Sequence, residues 1–144
     1  MAQALDTKAS SRTGGCLCGA VRYEVRGPLR PVVMCHCTQC RRVTGHLMAA
    51  TAARHADFTL LSQSALTWYD SSAEARRGFC SACGSTLFWQ GLGRDYLAIA
   101  AGTLDDSSDL RTACHIFTAD KGGYYEITDG APQLRDGNFS LKWP

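Results

Sequence analysis

Seven of the eight cysteines in this 144-residue chain fall into three short groups, and these groups limit which folds the chain can adopt. The groups are Cys16-Leu17-Cys18, Cys35-His36-Cys37-Thr38-Gln39-Cys40 and Cys80-Ser81-Ala82-Cys83. A metal ion bound by cysteines from two groups fixes together segments that lie far apart in sequence. In a reducing compartment, this spacing favours metal binding or redox chemistry over structural disulfides.

The N-terminal segment, MAQALDTKASSRTGG, is polar and lacks the apolar region of a signal peptide. No later apolar run is long enough to span a membrane. We therefore expect a flexible leader over residues 1–12, a single domain over residues 13–144, a cytoplasmic location and no membrane partner. The net charge is +2 and the basic residues are scattered, which argues against a nucleic-acid partner.

Short runs of alternating or β-branched residues recur along the chain, and clusters of Gly, Pro, Asp and Ser separate them. The runs cover residues 21–25, 58–61, 65–69, 86–89, 96–100 and 115–118. No long segment has the 3.6-residue apolar period of an amphipathic helix. The sequence therefore predicts an all-β domain of short antiparallel strands, with at most a turn or two of helix around Cys40 to Thr44.

The segment Cys80-Ser81-Ala82-Cys83-Gly84 has the spacing of a zinc knuckle, in which a tight turn directs two sulfurs at one metal. The glycine accommodates a positive φ after the second ligand. A closed tetrahedral site needs four ligands, and either of the other groups can supply the second pair. Cys16 and Cys18, flanked by glycines, complete one such four-thiolate site. The alternative is a redox Cys-x-x-Cys pair, which usually needs a βαβ context that this chain lacks.

A second metal then remains for the central group, Cys35, Cys37 and Cys40. Three protein ligands and one open position are the arrangement of catalytic zinc, and a soft thiolate site suits a sulfur-bearing fourth ligand. In one alternative, Cys114 or a histidine such as His36, His46 or His115 closes the site and makes it structural. In another, the three cysteines hold an iron–sulfur cluster, although such clusters normally take four cysteines at other spacings.

Five separated motifs carry a resemblance to a known family. They read Gly14-Gly15-Cys16-Leu17-Cys18-Gly19, Cys35-His36-Cys37-Thr38-Gln39-Cys40-Arg41, Phe79-Cys80-Ser81-Ala82-Cys83-Gly84, Ala101-Gly102-Thr103-Leu104-Asp105 and His115-Ile116-Phe117. Over roughly residues 13 to 135, the chain resembles the glutathione-dependent formaldehyde-activating enzyme family, whose domain is shared with centromere protein V. The resemblance implies a β-tent fold and two zinc ions per chain. It assigns two ligand sets: Cys16, Cys18, Cys80 and Cys83 for a structural zinc, and Cys35, Cys37 and Cys40 for an open, substrate-site zinc.

The same resemblance implies a carbon–sulfur lyase or synthase. Such an enzyme adds glutathione or a similar thiol to formaldehyde or another small aldehyde and forms S-(hydroxymethyl)glutathione. Arg41 and Arg42 follow the last cysteine of the central group, where they meet the carboxylates of a glutathione-like peptide or lie solvated on the surface. The alternative function is a non-catalytic zinc-binding module that recognises a thiol ligand or a protein partner.

Histidine, cysteine and aromatic residues outside the ligand sets also have predicted places. In an extended Cys-x-Cys segment the ring of His36 points away from the metal, so we expect it in a supporting or core role. Cys114 is expected in a strand as a small buried hydrophobe. Three aromatic residues are expected in the core: Trp68, Phe88 and Trp89. Tyr124 and Tyr125 stand where the family commonly has tryptophan, so ligand preference differs if they line the substrate pocket.

Overall fold

The computed structural model describes residues 11–143 and contains ten short β-strands and one α-helix within that range. The strands are β1 (Ser11–Gly15), β2 (Val21–Arg26), β3 (Val32–Cys35), β4 (Met48–Arg54), β5 (Phe58–Gln63), β6 (Leu66–Asp70), β7 (Ala75–Cys80), β8 (Thr86–Gly91), β9 (Tyr96–Ala100) and β10 (Thr112–Ile116). The helix α1 covers Thr38–Thr44. The predicted all-β domain is confirmed, and no helix in the described range has the length and hydrophobicity to cross a bilayer.

The strands form two sheets. A three-stranded antiparallel sheet has the order β1-β2-β5. The other strands form a seven-stranded sheet in the order β10-β3-β4-β9-β8-β7-β6, in which β10 and β3 are parallel. Cys35 at the end of β3 lies opposite Met48 of β4 and Ile116 of β10. The central cysteine group therefore begins where three strands of the larger sheet meet.

Side chains of the seven-stranded sheet alternate between two faces, as the two-residue period of a β-strand requires. In β9, Leu97 and Ile99 belong to the main core, whereas Ala98 lies on the opposite face. The main core also contains residues of the three-stranded sheet, among them the fully buried Tyr23. The opposite face carries Cys40 beside small residues of β4 and β9, and this face holds the central cysteine group.

Six strands follow the runs predicted from sequence, namely β2, β5, β6, β8, β9 and β10. One boundary differs, because β10 ends at Ile116 and Thr118 lies in a 3-10 turn. The sequence pattern does not predict β1, β3, β4 and β7. Strand β4 reads Met-Ala-Ala-Thr-Ala-Ala-Arg, and alanine by itself favours helix. Here both edges of β4 pair with other strands, and its small side chains fit the crowded middle of the sheet.

The first strand shortens the predicted N-terminal leader. Residues 1–10 lie outside the described residues, but Ser11 and Arg12 already belong to β1. The Ser11 hydroxyl donates to Glu24 at 2.8 Å, and Arg12 forms an ion pair with Asp109. These contacts hold Ser11 and Arg12 in β1, although both residues precede residue 13, the predicted start of the domain.

The hydroxyl group of Tyr23 forms a buried hydrogen bond, and removal of this bond should lower the stability of the fold. Its hydroxyl donates to Thr103 Oγ1 at 2.8 Å, and the Thr103 hydroxyl donates in turn to the Ala100 carbonyl at 2.7 Å. Tyr23→Phe keeps the ring packing but removes the first bond, so we expect the free energy of unfolding to fall by about 1 kcal/mol. Urea titration measures this loss. Tyr69→Phe, at a residue that is 64% exposed, is the matched control.

The contribution of the Tyr23 hydroxyl to the free energy of unfolding should depend on pH. Burial raises the pKa of Tyr23 to about 12, whereas an exposed tyrosine titrates near pH 10. A raised pKa in the folded state means that the hydroxyl stabilises the fold fully below about pH 10 and loses this effect as the pH rises through about 12. The difference in unfolding free energy between wild type and Tyr23→Phe should shrink across this window. A constant difference would contradict the assignment.

Candidate metal centres

Four cysteines from two distant segments lie together at one end of the larger sheet. Cys16 and Cys18 follow β1, Cys80 ends β7, and Cys83 lies in the turn that leads to β8. Their four sulfurs lie within 4.8 Å of one another. The closest pairs are Cys16 with Cys18 at 3.6 Å, and Cys18 with Cys80, 62 positions away in sequence, at 3.7 Å. The structure thus brings together the two pairs that the sequence grouped.

The local backbone explains why the sulfurs converge. Gly19 and Gly84 each follow a cysteine pair and have positive φ values of 84° and 80°, which favour glycine. The Gly84 N–H donates to the Cys80 carbonyl at 2.7 Å and closes the turn. The Val21 N–H donates to Cys16 Sγ at 3.2 Å, a contact that stabilises a thiolate. Four clustered thiols with such donors fit a tetrahedral metal ion of the zinc type.

Ser85 connects the two halves of this four-cysteine group. Its hydroxyl oxygen accepts a hydrogen bond from the Leu17 N–H at 3.0 Å, which leaves its own hydrogen for Cys83 Sγ at 3.1 Å. This donation lowers the pKa of Cys83 to about 5. A cysteine that is already a thiolate binds a metal ion without having to release a proton. This role is not predictable from the sequence motif, because Ser85 is outside the Cys-x-x-Cys-Gly segment.

The central group, Cys35, Cys37 and Cys40, forms a second cluster at the start of α1. Its three sulfurs also lie within 4.8 Å of one another. Cys37 caps the helix, since its sulfur accepts the Cys40 N–H at 3.3 Å. Hydrogen bonds from the thiols of Cys35 and Cys40 lower the pKa of Cys37 to about 2. The three sulfurs thus share protons through their mutual hydrogen bonds. A divalent cation that replaces those protons would bind all three sulfurs, so it suits this donor set.

No fourth side chain joins the central group among residues 11–143. Cys114 lies instead in an apolar cluster with Val33 and Ile116, as a buried strand residue, which confirms its predicted place. The two ring nitrogens of His36 contact Tyr125 and His115, and His36 is not grouped with the three sulfurs, which agrees with its predicted supporting or core role. His46 is 3.5 Å from the Tyr124 hydroxyl and contacts none of the three cysteines. Within the described residues, therefore, neither Cys114 nor a histidine groups with the three cysteines.

His36 instead belongs to a chain of hydrogen bonds behind the cysteines. Its Nε2 is 2.8 Å from Nδ1 of His115, and His115 Nε2 is 2.8 Å from a carboxylate oxygen of Asp129. The Tyr125 hydroxyl contacts His36 Nδ1. The carboxylate can only accept, so His115 Nε2 donates to Asp129; with both rings neutral, every group then donates in the same direction, from Tyr125 to Asp129. Burial lowers the pKa of His36 to about 4, consistent with this arrangement.

The central group borders a cavity of about 290 Å³ on the open face of the larger sheet. Cys35 and Cys40 line this cavity. Aromatic and cationic residues supply most of the remaining wall: Trp89, Tyr96, Phe117, Phe139, Arg30, Arg77 and Arg94. No Asp or Glu is among its lining residues in the described part of the chain. Apolar walls and unopposed cations favour a small anionic ligand with an apolar body.

A second cavity of about 380 Å³, called the outer cavity below, includes Cys37 among its lining residues. Arg77 and Trp89 line both cavities. Arg41 and Arg42, the predicted substrate contacts, line neither cavity in the described chain. The arginines that do line them come from loops and from β7, whose strand character the sequence pattern did not reveal.

The aromatic residues divide between the core and the cavity. Phe88 is 1% exposed in the main core, and Trp68 packs against that core, as predicted. The core prediction is wrong for Trp89, because the next position along β8 places its ring on the opposite face, beside Cys35 and Cys37.

A family model described as glutathione-dependent formaldehyde-activating enzyme matches residues 11–120. The chain belongs to this family. The matched range includes both cysteine groups, and the resemblance drawn from the sequence motifs is confirmed.

A crystal structure of a Rhodobacter sphaeroides protein is similar to this family member. The TM-score is 0.57 and the sequences are 26% identical, over 69% of this chain and 98% of that chain. The predicted fold class, a mainly β architecture with little helix, therefore also has a counterpart among solved structures.

Proposed function

We propose that this chain is a zinc-dependent carbon–sulfur lyase or synthase that joins a thiol such as glutathione to formaldehyde or a similar small aldehyde. The observation that carries the proposal is the central cysteine group, which lacks a fourth protein ligand among residues 11–143 and borders an arginine-rich cavity. Membership of the formaldehyde-activating enzyme family supports the choice of thiol and aldehyde. The product with formaldehyde would be S-(hydroxymethyl)glutathione.

The two metal groups would have different tasks. Cys16, Cys18, Cys80 and Cys83 form a complete ligand set, so a zinc ion there would be structural. The central group supplies three ligands and leaves one position for the thiol or the aldehyde oxygen. A zinc ion bound there would supply a Lewis acid that favours the thiolate form of the substrate and polarises the carbonyl.

The reaction needs few groups from the protein. The thiolate sulfur attacks the carbonyl carbon, a carbon–sulfur bond forms, and the carbonyl oxygen takes up a proton to become a hydroxyl group. In the reverse direction the same bond breaks. The aromatic walls of the cavity, including Trp89 and Phe117, would limit the water around the reacting atoms.

Arginines are proposed to bind the carboxylates of the thiol substrate. Arg94 is exposed, lines the cavity that borders Cys35 and Cys40, and has no carboxylate partner among the described residues, so it suits this role. Arg41 and Arg42 extend from the same helix as Cys40 and remain candidates for a second, outer carboxylate. All eight cysteines are free, and thiolate ligands persist in a reducing compartment, so we place the enzyme in the cytoplasm.

Two-dimensional exchange NMR with glutathione and formaldehyde tests this function. Thiols and formaldehyde also combine without a catalyst, so the reference is the exchange rate without protein. We expect the exchange rate to rise in proportion to the concentration of zinc-loaded protein and to return to the reference after a chelator removes the metal. Cys114→Ala, outside both ligand sets, should behave as wild type. If zinc-loaded protein leaves the rate unchanged but still binds glutathione, the chain is a thiol-binding module instead.

A further inference from the structure

We propose that Arg77 is the counter-ion of the central cysteine group, where it strengthens metal binding and allows an anionic thiol to occupy the fourth position. Arg77 would then be a positioning residue, acting through the cysteines and their metal. The part that concerns the thiol rests on the proposed function, whereas the part that concerns metal binding does not.

The location of Arg77 follows from the register of the larger sheet. Arg77 lies in β7 directly opposite Trp89 of β8, on the face that carries the cysteines. Its side chain is 5% exposed. Its Nη2 atom is 3.5 Å from Cys40 Sγ and 3.4 Å from the side-chain oxygen of Gln39. A full positive charge is therefore held against the sulfur of one cysteine.

The charge of Arg77 has no carboxylate partner in the described chain. Arg12, Arg22 and Arg54 each form an ion pair with an aspartate, but Arg77 forms none. Glu74 lines the outer cavity without forming an ion pair to it. The Nε atom of Arg77 is buried and has no hydrogen-bond partner among the described residues. An unpaired buried cation is strongly destabilising, so the position of Arg77 implies an anion beside it.

The loaded cysteine group supplies that anion. Three thiolates around a divalent cation carry a net charge of −1, and Arg77 brings the total to zero. When a thiolate takes the fourth position, the total charge of the cysteines, the cation, Arg77 and this thiolate is then only −1. Without Arg77 the same step would lead to −2 in a partly buried site, which like-charge repulsion opposes.

The other two cavity arginines are not equivalent to Arg77. Arg30 is 6% exposed, but its guanidinium donates to the Ala50 carbonyl at 3.0 Å and lies over the rings of Tyr96 and Phe139. Arg94 is exposed to solvent. Of these three, only Arg77 contacts a sulfur of the central group.

Metal affinity of the two cysteine groups tests the proposal without any measurement of catalysis. Competition with a chelator, followed by zinc analysis, gives a separate affinity for each group. We expect Arg77→Met to weaken metal binding at the central group by about 10- to 100-fold, as loss of an outer partner does in other metal sites. The four-cysteine group should be unchanged. Arg77→Lys keeps the charge and should retain most of the affinity.

Arg76→Met is the matched control, because Arg76 is the neighbouring residue of β7 but lies exposed against Trp68 on the other face. Its metal affinities should equal those of the wild type. If Arg77→Met fails to fold, Arg77→Gln supplies the neutral comparison. Wild-type affinity at the central group in either neutral variant would overturn the proposal. Equal losses in Arg77→Lys and Arg77→Met would also overturn it, since the charge would then be irrelevant.

Cobalt substitution tests the thiol step separately. Titration of the cobalt-loaded protein with glutathione should increase the sulfur-to-cobalt charge-transfer absorption, and Arg77→Met should require a higher glutathione concentration for the same change. If wild type and Arg77→Met titrate alike, the thiol part of the proposal is wrong. A protein that has Arg77-dependent metal affinity but catalyses no exchange would overturn the proposed function and leave the counter-ion role standing.

Discussion

Cys83→Ser should unfold the domain. Cys83 belongs to the four-cysteine group, which joins the turn after β1 to the end of β7 and thereby connects the two sheets. Structural zinc contributes about 10–16 kcal/mol of apparent free energy in small zinc-binding peptides, while a domain of this size is stable by about 5–15 kcal/mol in total. Loss of one thiolate from a closed site removes enough of this free energy to make the unfolded state more stable than the folded state.

Circular dichroism and thermal unfolding in the presence of zinc measure this effect. We expect Cys83→Ser to lose the cooperative unfolding transition and to bind far less than two zinc ions per chain. Cys114→Ala is the matched control, because Cys114 is also in the core but lies outside both ligand sets. It should remain folded with wild-type zinc content. A cooperative transition in Cys83→Ser near that of the wild type would contradict a structural role for the four-cysteine group.

Cys40→Ser should have the opposite profile, with the fold kept and the activity lost. The central group lies within six consecutive positions on the face opposite the main core, so its metal does not connect distant segments. We expect zinc content to fall from about two to about one per chain. Exchange between glutathione and formaldehyde should fall to the uncatalysed rate, because the substrate position disappears with the second metal.

Zinc analysis, circular dichroism and exchange NMR on the same preparation test this second prediction. Val43→Ala, at an exposed position of the same helix, is the matched control and should retain both zinc ions and the exchange activity. Similar losses of structure in Cys40→Ser and Cys83→Ser would contradict the division between a structural and a substrate-site metal. Full exchange activity in Cys40→Ser would contradict the proposed function.

The two cysteine groups and six of the ten strands can be predicted from the amino-acid sequence. Candidate ligands such as Cys80 and Cys83 are close together in sequence, so their spacing already defines the local geometry. Strands with alternating or β-branched residues, such as β2 and β9, are likewise recognisable from short stretches. The alanine-rich β4 is not, because its conformation follows from pairing on both edges rather than from local preference.

The residues that surround the central cysteine group, in contrast, are known only from the three-dimensional structure. Arg77 reaches Cys40 because β7 pairs with β8 in a particular register, and no spacing in the sequence encodes that contact. His36 and Asp129 meet through His115 for a similar reason, since the chain segment after β10 returns alongside that strand, where Gln133 pairs with His115. Metal ligands come from short motifs with local geometry, whereas the charges around them come from long-range strand pairing, which depends on the whole sheet.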